Sequence, residues 1–458
     1  MSRIVIAPSA AKAASTPLLP AAAPSAPVAE VDVKPAIPET IQETGIADSL
    51  IEQMILKVLY YRSETLGRDL ARALGLKFSV IEEMVEFLKR QHLVTVKKSL
   101  GLGNLTAVYA LTDAGRTLAR EYLEASQYAG QVPVPLAQYV RTVMAQKRSD
   151  DWLKPEMVRE AFKHMVVTPQ LISQIGPAVC SGKSFLLYGA AGNGKTYLVE
   201  ALFDIDPTPI FIPYAIEAQG QIIQVFDPLY HKPVETPEKD SVMAFAADPP
   251  YDQRWVKVKR PSIVTGGELT LDMLDLSYNE VSKFYDAPMQ LKANNGIYLL
   301  DDFGRQKASP AEVLNRWIVP MERRLDYLTF RNGTKMQVPF ECFLVFSSNL
   351  KPEQLGDEAF LRRIQYKMLM RNPDENEFYQ IFDGFCRQKE LPYERSVFER
   401  FLKTHYRDTG KPRRRCHPRD IISHAIDTLR FENLPFKLTD VVLDHAFESC
   451  FVSHEDEG

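Results

Sequence analysis

Gly189, Gly194, Lys195 and Thr196 stand at the spacing G-x-x-x-x-G-K-[ST] within FLLYGAAGNGKTYLVEALF, residues 185–203. These types at this spacing suit one chemistry, the holding of a polyphosphate. Glycines let successive main-chain N–H groups curl around an anion with no Cβ in the way. Lys195 would reach the terminal phosphates, and the Thr196 hydroxyl would bind Mg2+. The cradle is expected to comprise Gly189, Ala190, Ala191, Gly192, Asn193, Gly194, Lys195, Thr196 and Tyr197. An apolar run precedes the turn and an amphipathic helix start follows it, so the helix N-terminus would add partial positive charge. A chance lysine after a glycine-rich turn would not need both flanks.

A second site of chemistry is GIYLLDDFGR, residues 296–305. Ile297–Leu300 reads as a buried strand, and Asp301 and Asp302 follow at once. Adjacent carboxylates at the end of an apolar run repel each other and lose hydration. A metal and a triphosphate would account for both: Asp301 is expected to hold Mg2+ through water, and Asp302 to orient or deprotonate the attacking water. Asp302-Phe303-Gly304 also spells a magnesium signature of protein kinases. The nearest thing to a kinase catalytic loop, His405-Tyr406-Arg407-Asp408, follows that triplet instead of preceding it and lacks the downstream Asn. The kinase reading is excluded.

Several elements must position these groups. The chain has 458 residues, 45% hydrophobic and 25% charged, enough for two or three domains of an ordinary soluble protein. A net charge of −4 gives no electrostatic case for nucleic acid or membrane. No apolar run approaches the length of a membrane span. The five cysteines, Cys180, Cys342, Cys386, Cys416 and Cys450, form no C-x-x-C pair. They fit free thiols in a reducing cytosol, so a cytoplasmic location is expected. Cys416-His417 lacks partners at metal-ligand spacing.

Residues 1–40 are dense in Pro and Ala and read as a disordered tail. Residues 41–126 change pattern: helices over 48–61, 66–74 and 78–91, two strand-like runs joined by SLGLGN, then a helix capped by Thr112-Asp113. Ser79, with Glu82 three residues on, offers an N-cap for the third helix. This order resembles a winged helix-turn-helix domain. Its third helix sets Glu82, Glu83 and Glu86 against Lys89 and Arg90, and only Lys97 and Lys98 precede the uncharged wing tip. A protein-interaction role is therefore favoured over duplex binding. Residues 127–170 read as a helical linker with a stiff Val132-Pro133-Val134-Pro135 connection, 171–371 as the nucleotide domain, and 372–458 as a helical region.

Within the nucleotide domain, PIFIPYAI (209–216) is expected as a second strand and 311–325 as one helix. YLTFRNGTKMQVPF reads as a hairpin around Asn332-Gly333. FLVFSSN is a buried strand ending in Asn349, and DEAFLRRI carries Arg362 and Arg363. With these motifs in this order, residues 150–450 resemble the AAA+ ATPases, in the pre-sensor-hairpin branch that includes MoxR-like ATPases and bacterial enhancer-binding activators. KANNGIYLLDD and SPAEVLNRWIVPMERR are similar to phrases of that branch.

The resemblance implies an α/β P-loop NTPase fold with a central parallel sheet of order 5-1-4-3-2, a helical lid, and ATP and Mg2+ as ligands. It implies that Asn349 senses the γ-phosphate or the lytic water. It implies that Arg363, with Arg362 as second choice, is an arginine finger completing a neighbouring subunit's site. Arg419 in CHPRDIISHAID would be the lid's sensor, with Arg413, Arg414 and Arg415 as close competitors. The family most often has Glu where Asp302 stands, so slow turnover is one expectation. In this branch the stretch between Ile216 and Asn295 often carries an insertion that grips a partner. Tyr251, Trp255, Lys257 and Lys259 could serve so, or could be ordinary surface with a half-buried Trp.

The expected function is Mg2+-dependent ATP hydrolysis by a homo-oligomeric ring, a hexamer, that remodels a protein client recruited through the winged helix and insert loops. Two alternatives stand beside it. One is an ATP-gated regulator that binds duplex DNA through the winged helix. The other is a slow, nucleotide-dependent scaffold.

Overall fold

The computed structural model describes residues 33–99, 101, 103–234, 250–356 and 358–451. The chain divides into a unit of Met1–Val33 and one of Lys34–Gly458, and the second is described below. The tail expected over residues 1–40 lies mostly outside the described residues. Its last part differs from expectation. Pro35 and Pro38 are buried, Pro35 O accepts from Asp252 N–H at 3.1 Å, and Thr40 caps a short helix, Ile41–Thr44.

The central sheet has five strands, in the order Ser262–Thr265, Ile297–Leu300, Phe343–Ser348, Phe185–Tyr188 and Tyr366–Leu369. Every neighbouring pair is parallel. Ile297–Leu300 is buried at all four positions and Phe343–Ser348 at all six, as expected of parallel strands covered on both faces. Leu186, Tyr298, Leu300 and Phe346 pack on one side with Trp317, while Phe185, Leu187, Leu299 and Val345 pack on the other with Ile175 and Leu198.

The second strand is not where the sequence suggested. Residues 209–216 break into Ile210–Pro213, paired antiparallel with Trp255–Val258, and Ala215–Ala218, which belongs to another sheet. Pro213 has no N–H to continue a ladder. The second strand of the central sheet, at one of its two edges, is Ser262–Thr265 instead. The helix expected over 311–325 is also two, Pro310–Arg316 and Ile318–Arg323. Pro320 cannot donate to the carbonyl of Arg316 and its ring crowds it, so the first helix stops there. The hairpin forms as expected, Leu325–Thr329 against Lys335–Pro339, with Gly333 at φ 83°.

Residues 41–126 give helices Asp48–Arg62, Gly67–Leu74 and Phe78–Arg90, strands Val94–Ser99 and Ala107–Leu111, and helix Asp113–Ala125. A two-residue strand, Thr65–Leu66, completes a three-stranded sheet. Thr112 caps the last helix by accepting from Gly115 N–H. Ser79 does not cap the third, whose N-cap is Lys77; Glu82 instead accepts from Asn104 Nδ2 at 2.9 Å.

The linker expected over 127–170 is built into the body. Val134–Pro135 pairs with Ile216–Glu217 as an edge strand. Helix Leu136–Ala145 buries Tyr139 and Val143 in a core shared with Phe211, Trp255 and Leu328. Asn294 and Asn295, in the phrase before the paired aspartates, fix that helix: Asn294 Nδ2 donates to Tyr139 Oη at 2.8 Å and Asn295 Nδ2 to Val143 O at 3.0 Å. The C-terminal region is a separate aromatic core of Phe378, Phe382, Phe398, Phe401, Tyr406 and Phe447.

Candidate functional site

Three parallel strands deliver their ends to one edge. Phe185–Tyr188 runs into Gly189, Ile297–Leu300 into Asp301, and Phe343–Ser348 into Asn349. The connecting turns are tied together. Gly189 N–H donates to Ser348 O at 3.2 Å, Phe303 N–H to Ser347 O at 2.7 Å and Asp301 N–H to Thr265 O at 2.8 Å. Phe303, of the kinase-like triplet, is a core residue packed on Phe346.

The turn 189–194 has the shape its glycines permit. Gly189 lies at φ 146°, and a Cβ there would meet Met370 O at 2.5 Å. Gly192 lies at φ 78°, and a Cβ would meet Cys416 Sγ at 2.5 Å. Any other residue would push the loop off its neighbours. Asn193 is fully buried, whereas Ala191 and Tyr197 are exposed. The helix after the turn is one and a half turns long, Lys195–Glu200.

Lys195 is 6% exposed. Its Nζ donates to Gly189 O at 3.0 Å, Ala190 O at 3.2 Å and Asn349 Oδ1 at 2.7 Å. Burial lowers its pKa; the nearby carboxylates of Asp302 and Asp301 oppose that shift and Arg414 adds to it. Asn349 passes the contact on, with Nδ2 donating to Asp302 Oδ1 at 2.6 Å. Thr196 Oγ1 donates to both carboxylate oxygens of Asp301, at 3.1 and 2.9 Å. The structure thus brings together Lys195, Thr196, Asp301, Asp302 and Asn349 from three segments. Asp302 is exposed and held at φ 49°, a left-handed conformation that Asp tolerates better than most residues.

The donor set fits Mg2+. A hydroxyl and a carboxylate in contact are hard oxygen ligands, and such an ion takes its remaining ligands from phosphates and water. Among the described residues no group of three or more His, Cys, Asp or Glu could hold a metal by itself. Cys416 N–H donates to Gly192 O at 2.8 Å, and His417 Nδ1 lies 2.9 Å from Tyr406 Oη.

The arginines divide. Arg363 follows the short helix Glu358–Leu361, and its Nε donates to Glu322 Oε1 at 2.8 Å. Arg362 is exposed. Arg419, on helix His417–Phe431, is turned onto its neighbour Asp420 at 2.9 Å. Its competitor Arg414 is the arginine of this region that lies at the loop. Arg414 Nη1 donates to Asn372 Oδ1, which also accepts from Asn193 Nδ2 at 2.9 Å. Arg413 and Arg415 are spent on Glu375 and Glu377. Sequence reasoning missed Asn372 altogether. The one signal was Asn-Pro at 372–373, a chain-direction change just after a strand. Trp255 is 2% exposed, and Tyr251 packs edge-on against Phe211; the gripping role considered for this pair gives way to core packing.

Residues 374–449 match the model of a domain of unknown function, DUF8689. A comparison with curated protein sequences finds no match. Solved structures with similarity include NtrX from Brucella abortus, at 11% identity and TM-score 0.39 over 75% of this chain and 63% of that one. The same protein in complex with ATP gives 10% identity and TM-score 0.37, again over 75% and 63%. Domain III of the Thermotoga maritima replication initiation protein DnaA gives 13% identity and TM-score 0.35 over 66% of this chain and 99% of that one. The chain therefore spans less than two thirds of the NtrX chains it aligns with. Among the described residues no helix is long and apolar enough to cross a membrane.

Proposed function

We infer that the chain binds ATP with Mg2+ and hydrolyses it, as a P-loop ATPase of the AAA+ kind. One observation carries this reading: Thr196 on Asp301, and Lys195 on Asn349 on Asp302, meet at the C-terminal edge of one parallel sheet. Ligands of open α/β sheets bind at that edge. Numbered by chain order, the five strands run 5-1-4-3-2 from the Tyr366–Leu369 side, which supports the same fold.

The roles follow from the contacts. The loop N–H groups and the Lys195 ammonium bind the phosphates. Thr196 and Asp301 would hold Mg2+, which would supply positive charge against the terminal phosphates. Asn349 already orients the Asp302 carboxylate, which would align the attacking water and accept its proton. Arg414 replaces Arg419 as the lid cation. Arg363, supplied by a neighbouring copy after release from Glu322, would stabilise charge in the transition state. The active species is then an oligomer, a hexameric ring, whose lid movement remodels a protein client. Residues 41–126 favour a protein partner over a duplex, because Lys89 on the third helix is already paired with Glu86 at 2.8 Å.

The test is nucleotide titration alongside turnover. Lys195→Ala should lose binding; Arg363→Ala should keep it and lose turnover by at least about tenfold. Unchanged hydrolysis in both would remove the assignment. Steeply salt-dependent duplex binding by the whole chain would favour the DNA-regulator reading instead.

A further inference from the structure

The phosphate loop touches the lid at two points. One is the main-chain bond from Cys416 N–H to Gly192 O, 2.8 Å. The other runs through Asn372, which lies between the strand Tyr366–Leu369 and the first lid helix, Glu375–Gln388. Its single Oδ1 accepts from Asn193 Nδ2 at 2.9 Å and from Arg414 Nη1. Asn193 sits between Gly192 and Gly194, is fully buried, and has no hydrogen-bond partner for its own Oδ1. The contact with Asn372 is therefore the stronger of its two side-chain bonds; the other, to Met370 O, is 3.4 Å long. Pro373 restricts Asn372 to extended backbone, so the carboxamide is aimed by the chain itself.

We propose that Asn372 is a positioning residue: its carbonyl oxygen sets the lid cation Arg414 in register with the phosphate loop, so that loop shape and lid closure change together. This rests on the nucleotide reading and deepens it. A neutral amide oxygen holds a guanidinium without neutralising it. A phosphate is a stronger acceptor, so an incoming polyphosphate draws Arg414 from Asn372, and the lid follows. A carboxylate at this position would compete with phosphate for Arg414, and an alkyl group would leave both donors unmet.

The test uses the full chain, with amide hydrogen exchange at Cys416 and titration with ATP. Asn372→Ala should speed Cys416 exchange by about tenfold or more, because one of the two loop–lid ties is gone. Asn372→Asp should restore slow exchange, since its carboxylate accepts the same two bonds, yet bind ATP more weakly than wild type. For ATP affinity, Asn372→Ala and Arg414→Ala should each lose about tenfold. The double variant should lose no more than Arg414→Ala alone. Multiplying losses in the double variant, or unchanged Cys416 exchange in Asn372→Ala, overturns the proposal. ATP binding that survives Lys195→Ala overturns the nucleotide reading instead, and Cys416 exchange then still decides whether Asn372 ties loop to lid.

Discussion

Asn349 occupies the centre of the candidate site at the scale of single residues. One carboxamide takes a hydrogen bond from Lys195 and gives one to Asp302. Replacing it with alanine frees both charges at once. Asn349→Ala is expected to lower kcat by about a hundredfold while ATP binding weakens far less, read from steady-state kinetics beside titration. Gly192→Ala should act on binding, because a side chain at φ 78° must displace Cys416. The loop and the paired aspartates were legible because their chemistry dictates a spacing within a dozen residues. Arg414 was not. Four arginines lie within seven positions, 413–419, and only packing against residues far along the chain separates the one at the loop from those paired with Glu375, Glu377 and Asp420.

Elements show what periodicity captures and what it leaves out. The helices and hairpin of residues 41–126 were read within a few residues, since each has its own apolar face. The second strand was misplaced because Ile210–Pro213 is the more apolar run of the two, whereas pairing of Ser262–Thr265 depends on distant partners. Two elements carry titratable groups with consequences for stability. In helix His417–Phe431, burial, helped by Arg414 and Lys411, lowers the His417 pKa from 6.5 to about 4. The neutral ring is therefore the folded form. Stability is intact above pH 6.5 and falls as the pH drops toward 4, where the unfolded chain takes up a proton that the folded helix refuses. The loss is on the order of 2–3 kcal/mol. Denaturation midpoints across that range should show the slope, and His417→Gln should flatten it. In helix Asp48–Arg62, Lys57 is fully buried with no partner for its Nζ, and burial lowers its pKa from 10.5 to about 8. Lys57→Met should stabilise the protein at neutral pH by about 2 kcal/mol. The gain should shrink as pH rises from 8 toward 10.5, because the unfolded lysine then loses its charge too.

For the molecule as a whole, one buried ion pair joins parts that the sequence suggested were separate. Arg254 donates to Asp252 at 2.8 Å, to Thr44 O at 2.9 Å, to Gln138 Oε1 at 3.3 Å and to Pro133 O at 3.5 Å. Arg254 is 1% exposed and Asp252 0%. Arg254→Met leaves Asp252 buried and unpaired and should cost about 3–5 kcal/mol in a denaturant titration. Nothing in YDQRWVKVKR marked Arg254 apart from its basic neighbours, because all its partners except Asp252 lie more than a hundred residues away. That guanidinium also bears on dissection of the protein. Cutting away residues before 134 to isolate the remainder would strip two carbonyls from Arg254 and lay open the main chain at Gln253 and Arg254 on which Gly75 is seated. The fragment should precipitate or hold less nucleotide for that reason alone, and such a result would say nothing about recruitment.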